Sequence, residues 1–225
     1  MSHRFRDDMT TLRRRLQAGG DGPVEYLVGR LLCSYRKYGD WGQFRHEIDD
    51  PLLVEAAVHH LDLLADMAGG HCDRLYAETW LPDWGPFAGD GNALVTMHFD
   101  NDTRATYEGA LANATAPNCW GSEYVRAECR DATYALDDHE LERYGLDADS
   151  KDGETIGIDE QVAWSNTWLI EQFVEWLDGG EPMATNVRDN LRSMALVAAA
   201  IESSETGVPV NPQDLLAKAH ARVEI

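Results

Sequence analysis

Glu55, His59 and Asp62 fall four and three positions apart in the stretch PLLVEAAVHHLDLL, residues 51–64, and His60 sits beside His59. Side chains four apart on a helix share a face. Glu55 and His59 would then stack, with Asp62 about one turn beyond His59. A carboxylate beside an imidazole orients the ring and raises its pKa, as general acid–base chemistry needs. Two side chains at this spacing also suit a divalent ion, but such a site needs further ligands that the sequence does not supply, so no metal is expected. The same stretch reads equally as an amphipathic helix. Leu52, Leu53, Ala56, Leu63 and Leu64 would pack, and the histidines would bond backbone. Spacing alone leaves these readings open.

Other residues join the candidate set by composition. The loop YRKYGDWGQFR carries Tyr35, Trp41 and Arg45 just before the His59 helix. Aromatic rings plus Arg suit sugar stacking and hydroxyl hydrogen bonding; the alternative is a loop anchored by a half-buried Trp. NATAPNCWG places Asn113, Asn118 and Trp120 after a strand, a suitable pocket mouth. Trp80 and Trp84 flank Pro82 and read as packing or a subunit contact. Trp164, Trp168 and Trp176 recur at helical spacing and read as core. Asp137, Asp138, Glu140 and Glu142 around His139 read as a solvated acidic face. Cys33, Cys72, Cys119 and Cys129 show no CxxC spacing and read as reduced, mostly buried thiols.

These residues need elements to position them. Residues 7–18 read as a helix ended by GGDGP, and VEYLVGRLLCSY as a strand. A helix begins at Pro51 behind Asp50 as N-cap and stops at Gly69-Gly70. From 73 to 137 the segments are short and several alternate with period two, with Asp100–Asp102 as a hairpin turn. In EYVRAECR, Tyr124, Arg126, Glu128 and Arg130 share one face, Val125, Ala127 and Cys129 the other. Residues 143–160 read as a polar loop. Two helices closed by glycine follow, then a last one behind Asn211 and Pro212. The order helix, strand, helix, four or five strands, then helices predicts an α+β domain, an open, mostly antiparallel sheet with helices on one face.

Composition excludes whole classes of partner. The 225 residues carry a net charge of −21, which repels nucleic acid and anionic membranes. Only three of the nineteen cationic residues are lysines (Lys37, Lys151 and Lys218), a balance that reads as adaptation to high salt. No run is long and apolar enough to span a bilayer, and the charged N-terminus lacks a secretory core. A cytoplasmic protein is the expectation. GxGxxG, P-loop, GxSxG and HExxH motifs are absent.

The stretch PLLVEAAVHHLDLLADMAGG, the segments LVTMHFDNDTRATYEGALAN and YVRAEC, and the tail FVEWLDGGEPMATNVRDNLRSMALVAAAIESSETGVPV together resemble the C-terminal domain of the Gfo/Idh/MocA oxidoreductases (glucose-fructose oxidoreductase, inositol dehydrogenase, rhizopine catabolism). The resemblance runs from about residue 3 to the C-terminus. It implies one substrate-binding and oligomerisation domain over residues 1–225, with 1–22 as the remnant that follows a Rossmann core. It implies NAD or NADP as hydride acceptor, a sugar or polyol substrate with a CH–OH group, and homo-oligomers through the open sheet. Carried onto this chain, the family's catalytic histidine corresponds to His59 and its carboxylate partner to Glu55. Tyr35, Trp41, Arg45, His60, Asn118 and Trp120 then line the substrate. Glu55 stands where an aspartate is usual, and DDP replaces the glycines before the helix. The dinucleotide fingerprint and the Glu-Lys-Pro motif of the family are not in this sequence. The chain is therefore expected to be a truncated or split gene product, to need a separate Rossmann chain for turnover, or to serve as a non-catalytic binding or assembly module.

Overall fold

The computed structural model describes residues 1–146 and 152–222. Eight strands of the described residues form one sheet: β1 (Val24–Leu32), β2 (Cys72–Trp80), β3 (Asn92–Phe99), β4 (Arg104–Ala110), β5 (Tyr124–Cys129), β6 (Ala132–Asp137), β7 (Glu140–Gly145) and β8 (Glu154–Ile156). Their order is β2-β3-β4-β1-β5-β6-β7-β8, and every pair is antiparallel except β1 with β4. The fold class is therefore the α+β open sheet that the residue pattern predicts. The strand count exceeds that expectation, because the acidic run 137–142 is a hairpin, whose Asp137, Asp138, His139 and Glu140 are exposed as the solvated-face reading expects. Asp138 and His139 both take positive φ there, 45° and 68°, as a two-residue turn of this hand demands. The expected polar loop over 143–160 instead holds the end of β7 and β8, and residues 147–151 within it lie outside the described residues.

Among the described residues five helices accompany the sheet: α1 (Asp7–Ala18), α2 (Val58–Ala68), α3 (Ser165–Leu177), α4 (Val187–Thr206) and α5 (Pro212–Arg222). Leu27 and Leu31 of β1, Tyr107 of β4, Val125 and Ala127 of β5 and Leu61, Leu63 and Leu64 of α2 are buried together. Removing each large side chain from water contributes roughly 1.5–3 kcal/mol. Gly29 lets α2 lie close on the sheet, since a Cβ there would meet a Leu64 methyl at 3.1 Å. The opposite sheet face carries its own polar lattice, with Arg30 paired to Glu108 at 2.9 Å and stacked over Tyr124 at 5.0 Å.

Asn186 caps α4 by accepting from the Arg188 and Asp189 N–H groups. Asn211 caps α5 through the Gln213 N–H at 2.9 Å. Asp50 does not cap with its side chain. It sits at φ 50° and accepts the Val54 N–H on its carbonyl. The predicted tryptophan core of α3 is also overturned. No residue of α3 is buried, and Phe173 and Trp176 are 44% and 38% exposed. The helical spacing gathers the rings on one face, but that face is not packed on the sheet.

Candidate active site

Four elements meet over the start of α2. The first is α2 itself, whose chain enters through a wide π turn at Leu53–Ala57. Such a turn inserts extra backbone into the helix and breaks the four-residue stacking of side chains. Glu55 accordingly turns away from His59. Its Oε2 accepts from Arg45 Nε at 2.9 Å, and no hydrogen bond joins it to His59 among the described residues. The expected Glu55–His59 pair is corrected on this point.

The carboxylate that meets the histidines is Glu123, from the loop before β5. Its Oε1 lies 3.2 Å from His3 Nε2 and 3.5 Å from His60 Nε2, and its side chain is 1% exposed. Its Oε2 accepts from Arg6 Nη1 and from the Gly121 N–H at 3.0 Å. Arg6 also pairs with Asp8 at 2.6 Å. Burial pushes the Glu123 carboxyl up, but the close approach of the His3 and His60 imidazoles and the charge of Arg6 outweigh it and hold it well below the usual carboxylate range. His60 lies flat against Tyr107, ring centroids 5.4 Å apart, with the Tyr107 hydroxyl 3.4 Å from Nδ1.

His59 stands at the edge of this cluster. Its ring lies 4.5 Å from that of His3 and meets Trp120 edge-on at 6.2 Å. Its pKa is pushed down to about 3, first by burial and then by the neighbouring His3 and His60. The environment thus acts opposite to the expected carboxylate pairing: His59 is held neutral. Its buried Nδ1 has no protein partner.

An aromatic wall continues from the histidines. Trp120 is 5.9 Å from Trp41, and Trp41 stacks on Tyr35 at 5.4 Å with planes 6° apart. Arg45 lies over Trp41 at 4.7 Å and donates to the Trp41 carbonyl at 2.9 Å. Trp41 takes φ 66°, a conformation that costs a non-glycine residue of order 1–3 kcal/mol and that Arg45 and the stack hold in place. Tyr35, Trp41, Arg45, His59, His60 and Trp120 are thus brought together, while Glu55 reaches the group only through Arg45.

Asn118 does not join them. It is 8% exposed, and its amide donates to the Ser122 carbonyl at 3.2 Å and to Asp137 at 3.0 Å, so it anchors the loop that carries Trp120. Trp84 donates to the Ala112 carbonyl at 2.9 Å beneath Arg36. Cys33 and Cys119 form a disulfide with Cα atoms 4.8 Å apart, leaving Cys72 and Cys129 free, which corrects the expectation of four thiols. Reasoning on the sequence missed His3, Arg6 and Glu123. The signal for Glu123 was present: it stands two before Val125 and four before Ala127, in phase with the covered residues of β5, which begins one residue later.

Eight strands in this order with helices on one face, and a histidine–aromatic cluster over the sheet, define an open-sheet α+β domain built to present a polar site. Residues 23–211 match the oxidoreductase family C-terminal alpha/beta domain, and the chain belongs to that family, Gfo/Idh/MocA. An uncharacterized protein, y4oX of Sinorhizobium fredii (strain NBRC 101917 / NGR234), is 46% identical over 96% of this chain, which spans 62% of that relative. An oxidoreductase from Agrobacterium radiobacter, solved in complex with NAD+, L-tartaric acid and magnesium, superposes with a TM-score of 0.79 at 17% identity, over 94% of this chain and 64% of that one. Aldose-aldose oxidoreductase from Caulobacter crescentus, complexed with glycerol, gives 0.78 at 14% identity, over 93% and 62%. The chain therefore covers less than two thirds of the length of these relatives.

The family's dinucleotide finds no cradle among the described residues. A pyrophosphate site needs a glycine turn between a parallel strand and a helix. Here Gly19, Gly20 and Gly22 lie between α1 and β1, and Gly89 and Gly91 lie between antiparallel β2 and β3. Among the described helices none is long and apolar enough to cross a membrane.

Proposed function

We propose that this chain is the substrate-binding and proton-handling part of an oxidoreductase that acts on a CH–OH group of a sugar or polyol. The observation that carries the reading is the meeting of a neutral, partner-free His59 with the Trp120–Trp41–Tyr35 wall. A sugar ring or polyol chain packs its C–H face on aromatic rings and its hydroxyls on polar groups. Arg45, His3 and His60 are polar groups beside that wall. His59 accepts the proton of the reacting hydroxyl. Because burial and two imidazoles oppose its charged form, the proton passes through the imidazole to solvent water as hydride leaves, rather than resting on it.

The hydride acceptor, NAD or NADP as in the family, is held by a nucleotide-binding unit outside the described residues. No step of hydride transfer is assigned to this chain. We further propose that two copies pair through the uncovered sheet face around Arg30, Glu108 and Tyr124, with the cytoplasm as the setting. Light scattering in molar salt checks the pairing, and a monomer overturns it.

The site is tested by titrating sugars, polyols and sugar acids while following tryptophan fluorescence and calorimetric heat. Saturable binding that weakens at least tenfold in Trp120→Ala and His59→Gln supports the reading. Equal binding by the variants, or none by the folded protein, overturns it.

A further inference from the structure

We propose that His3, His60 and Glu123 form a binding site for one first-row divalent cation of the zinc, cobalt(II) or iron(II) kind. The three side chains come from three separate elements: the short N-terminal turn His3–Phe5, α2, and the loop before β5. Their donor atoms all lie within 4.8 Å of one another. Glu123 Oε1 is 3.2 Å from His3 Nε2 and 3.5 Å from His60 Nε2. Ligands of a tetrahedral zinc ion, each about 2.0–2.1 Å from the metal, stand roughly 3.3 Å apart. Glu123 Oε1 stands at that separation from each histidine nitrogen, and the two nitrogens lie within 4.8 Å of one another, so small side-chain shifts suffice to close the site.

The surroundings act as an outer shell does. His60 Nε2 and Glu123 Oε1 are buried and have no hydrogen-bond partner of good geometry, and their side chains are 4% and 1% exposed. Two such buried atoms 3.5 Å apart are costly unless a shared partner satisfies both. The other half of each ligand is fixed. Tyr107 approaches His60 Nδ1, and Arg6 with Gly121 holds Glu123 Oε2. Metal-binding imidazoles and carboxylates are oriented by partners of this kind. Two nitrogens and one oxygen select a borderline cation over calcium or magnesium, which prefer oxygen alone. Three protein ligands leave a coordination position open, as in catalytic rather than structural sites. Asp8 offsets the charge of Arg6, so the cluster itself carries the single negative charge of Glu123.

The proposal shares His60 with the sugar-binding reading but rests on a different observation, and metal loading and sugar titration can fail separately. The experiment loads the chelator-treated protein with cobalt(II) and follows its ligand-field absorption, with zinc competition read by elemental analysis after dialysis. About one equivalent is expected. His60→Gln and His3→Gln should each weaken loading at least tenfold. Tyr107→Phe should weaken it roughly tenfold, and His98→Gln, at a His–Asp pair on β3, should leave it unchanged. X-ray absorption of the cobalt-loaded wild type needs no variant and should report two imidazoles and one carboxylate. Absence of stoichiometric loading by the folded protein, unchanged loading in His60→Gln, or an all-oxygen shell overturns the site. The cluster is then a carboxylate held by two imidazole N–H donors.

Discussion

Reducing the Cys33–Cys119 bond, or replacing either partner by serine, should destabilise the protein by about 4.6 kcal/mol. The two cysteines are 86 residues apart in sequence. In the chain-entropy description, closing a loop of about that length removes some 15 cal/mol/K from the unfolded chain, hence about 4.6 kcal/mol at 25 °C. Domains of this size lose roughly 2–4 °C of melting temperature per kcal/mol, so the transition should fall by roughly 9–18 °C. The folded arrangement should survive below that temperature, because Leu32 and Ser34 also bridge to Asn118 and Ala112 through backbone. Thermal melts by circular dichroism, with and without a phosphine reductant, measure the shift. A thiol count in denaturant without reductant should give two per chain, Cys72 and Cys129. Four thiols, or coincident melts, would refute the reasoning. A smaller shift accompanied by two thiols would refute only the entropic magnitude.

Three further outcomes follow from the site and the surface. His59 has a folded pKa of about 3 against about 6.5 when unfolded, so the unfolded chain takes up the proton first. Stability from this group is complete above pH 6.5 and declines as pH falls toward 3. The decline is at most about 1.4 kcal/mol per unit, or about 3 kcal/mol by pH 4.5. His59→Gln, compared with wild type by urea melts between pH 4.5 and 7 with chelator present, should show a shallower slope; parallel slopes sink the assignment. Glu123→Gln leaves Arg6 with a buried, less compensated charge and should cost about 3–5 kcal/mol, whereas Glu55→Gln, at an ion pair about one quarter exposed, should cost less than about 1 kcal/mol. Equal costs by denaturant midpoint would contradict the difference in burial. With a net charge of −21, the melting temperature should rise between low and molar salt, and a flat response removes the reading of salt adaptation.

Much of the fold was legible because its signals are local. Gly19, Gly69 and Gly207 end helices in the left-handed conformation where the sequence places them, and the alternation of EYVRAECR is that of a strand with one covered face. Asp138 and His139 escaped because neither is the Gly or Asn that marks such a turn. Of the aromatic wall, Tyr35 and Trp41 sit close in sequence to the His59 helix, while Trp120, far from it in sequence, was drawn in only by its place after a strand. The carboxylate was misassigned for a physical reason. A π turn has no period of its own in sequence, so Glu55 looked stacked on His59 while Glu123, more than sixty residues on, took that place beside the neighbouring His60 and His3. The disulfide escaped likewise, since contact between positions 33 and 119 is a product of topology rather than spacing.

The single parallel pair has a consequence for how the chain reaches its native state. β2–β3–β4 and β5–β6–β7–β8 are each runs of antiparallel neighbours that form from nearby sequence. β1 precedes both, yet lies between them, pairing Gly29 with Tyr107 on one side and with Val125 on the other. The two meanders become one sheet only when β1 is captured across separations of 78 and 96 residues. Closing such long loops is slow, and an uncaptured β1 leaves two strand edges exposed. β1 is thus the seam of the molecule. Its docking is the expected late step of folding, and the thiol of Cys33, one residue past its end, meets Cys119 only once that step is complete.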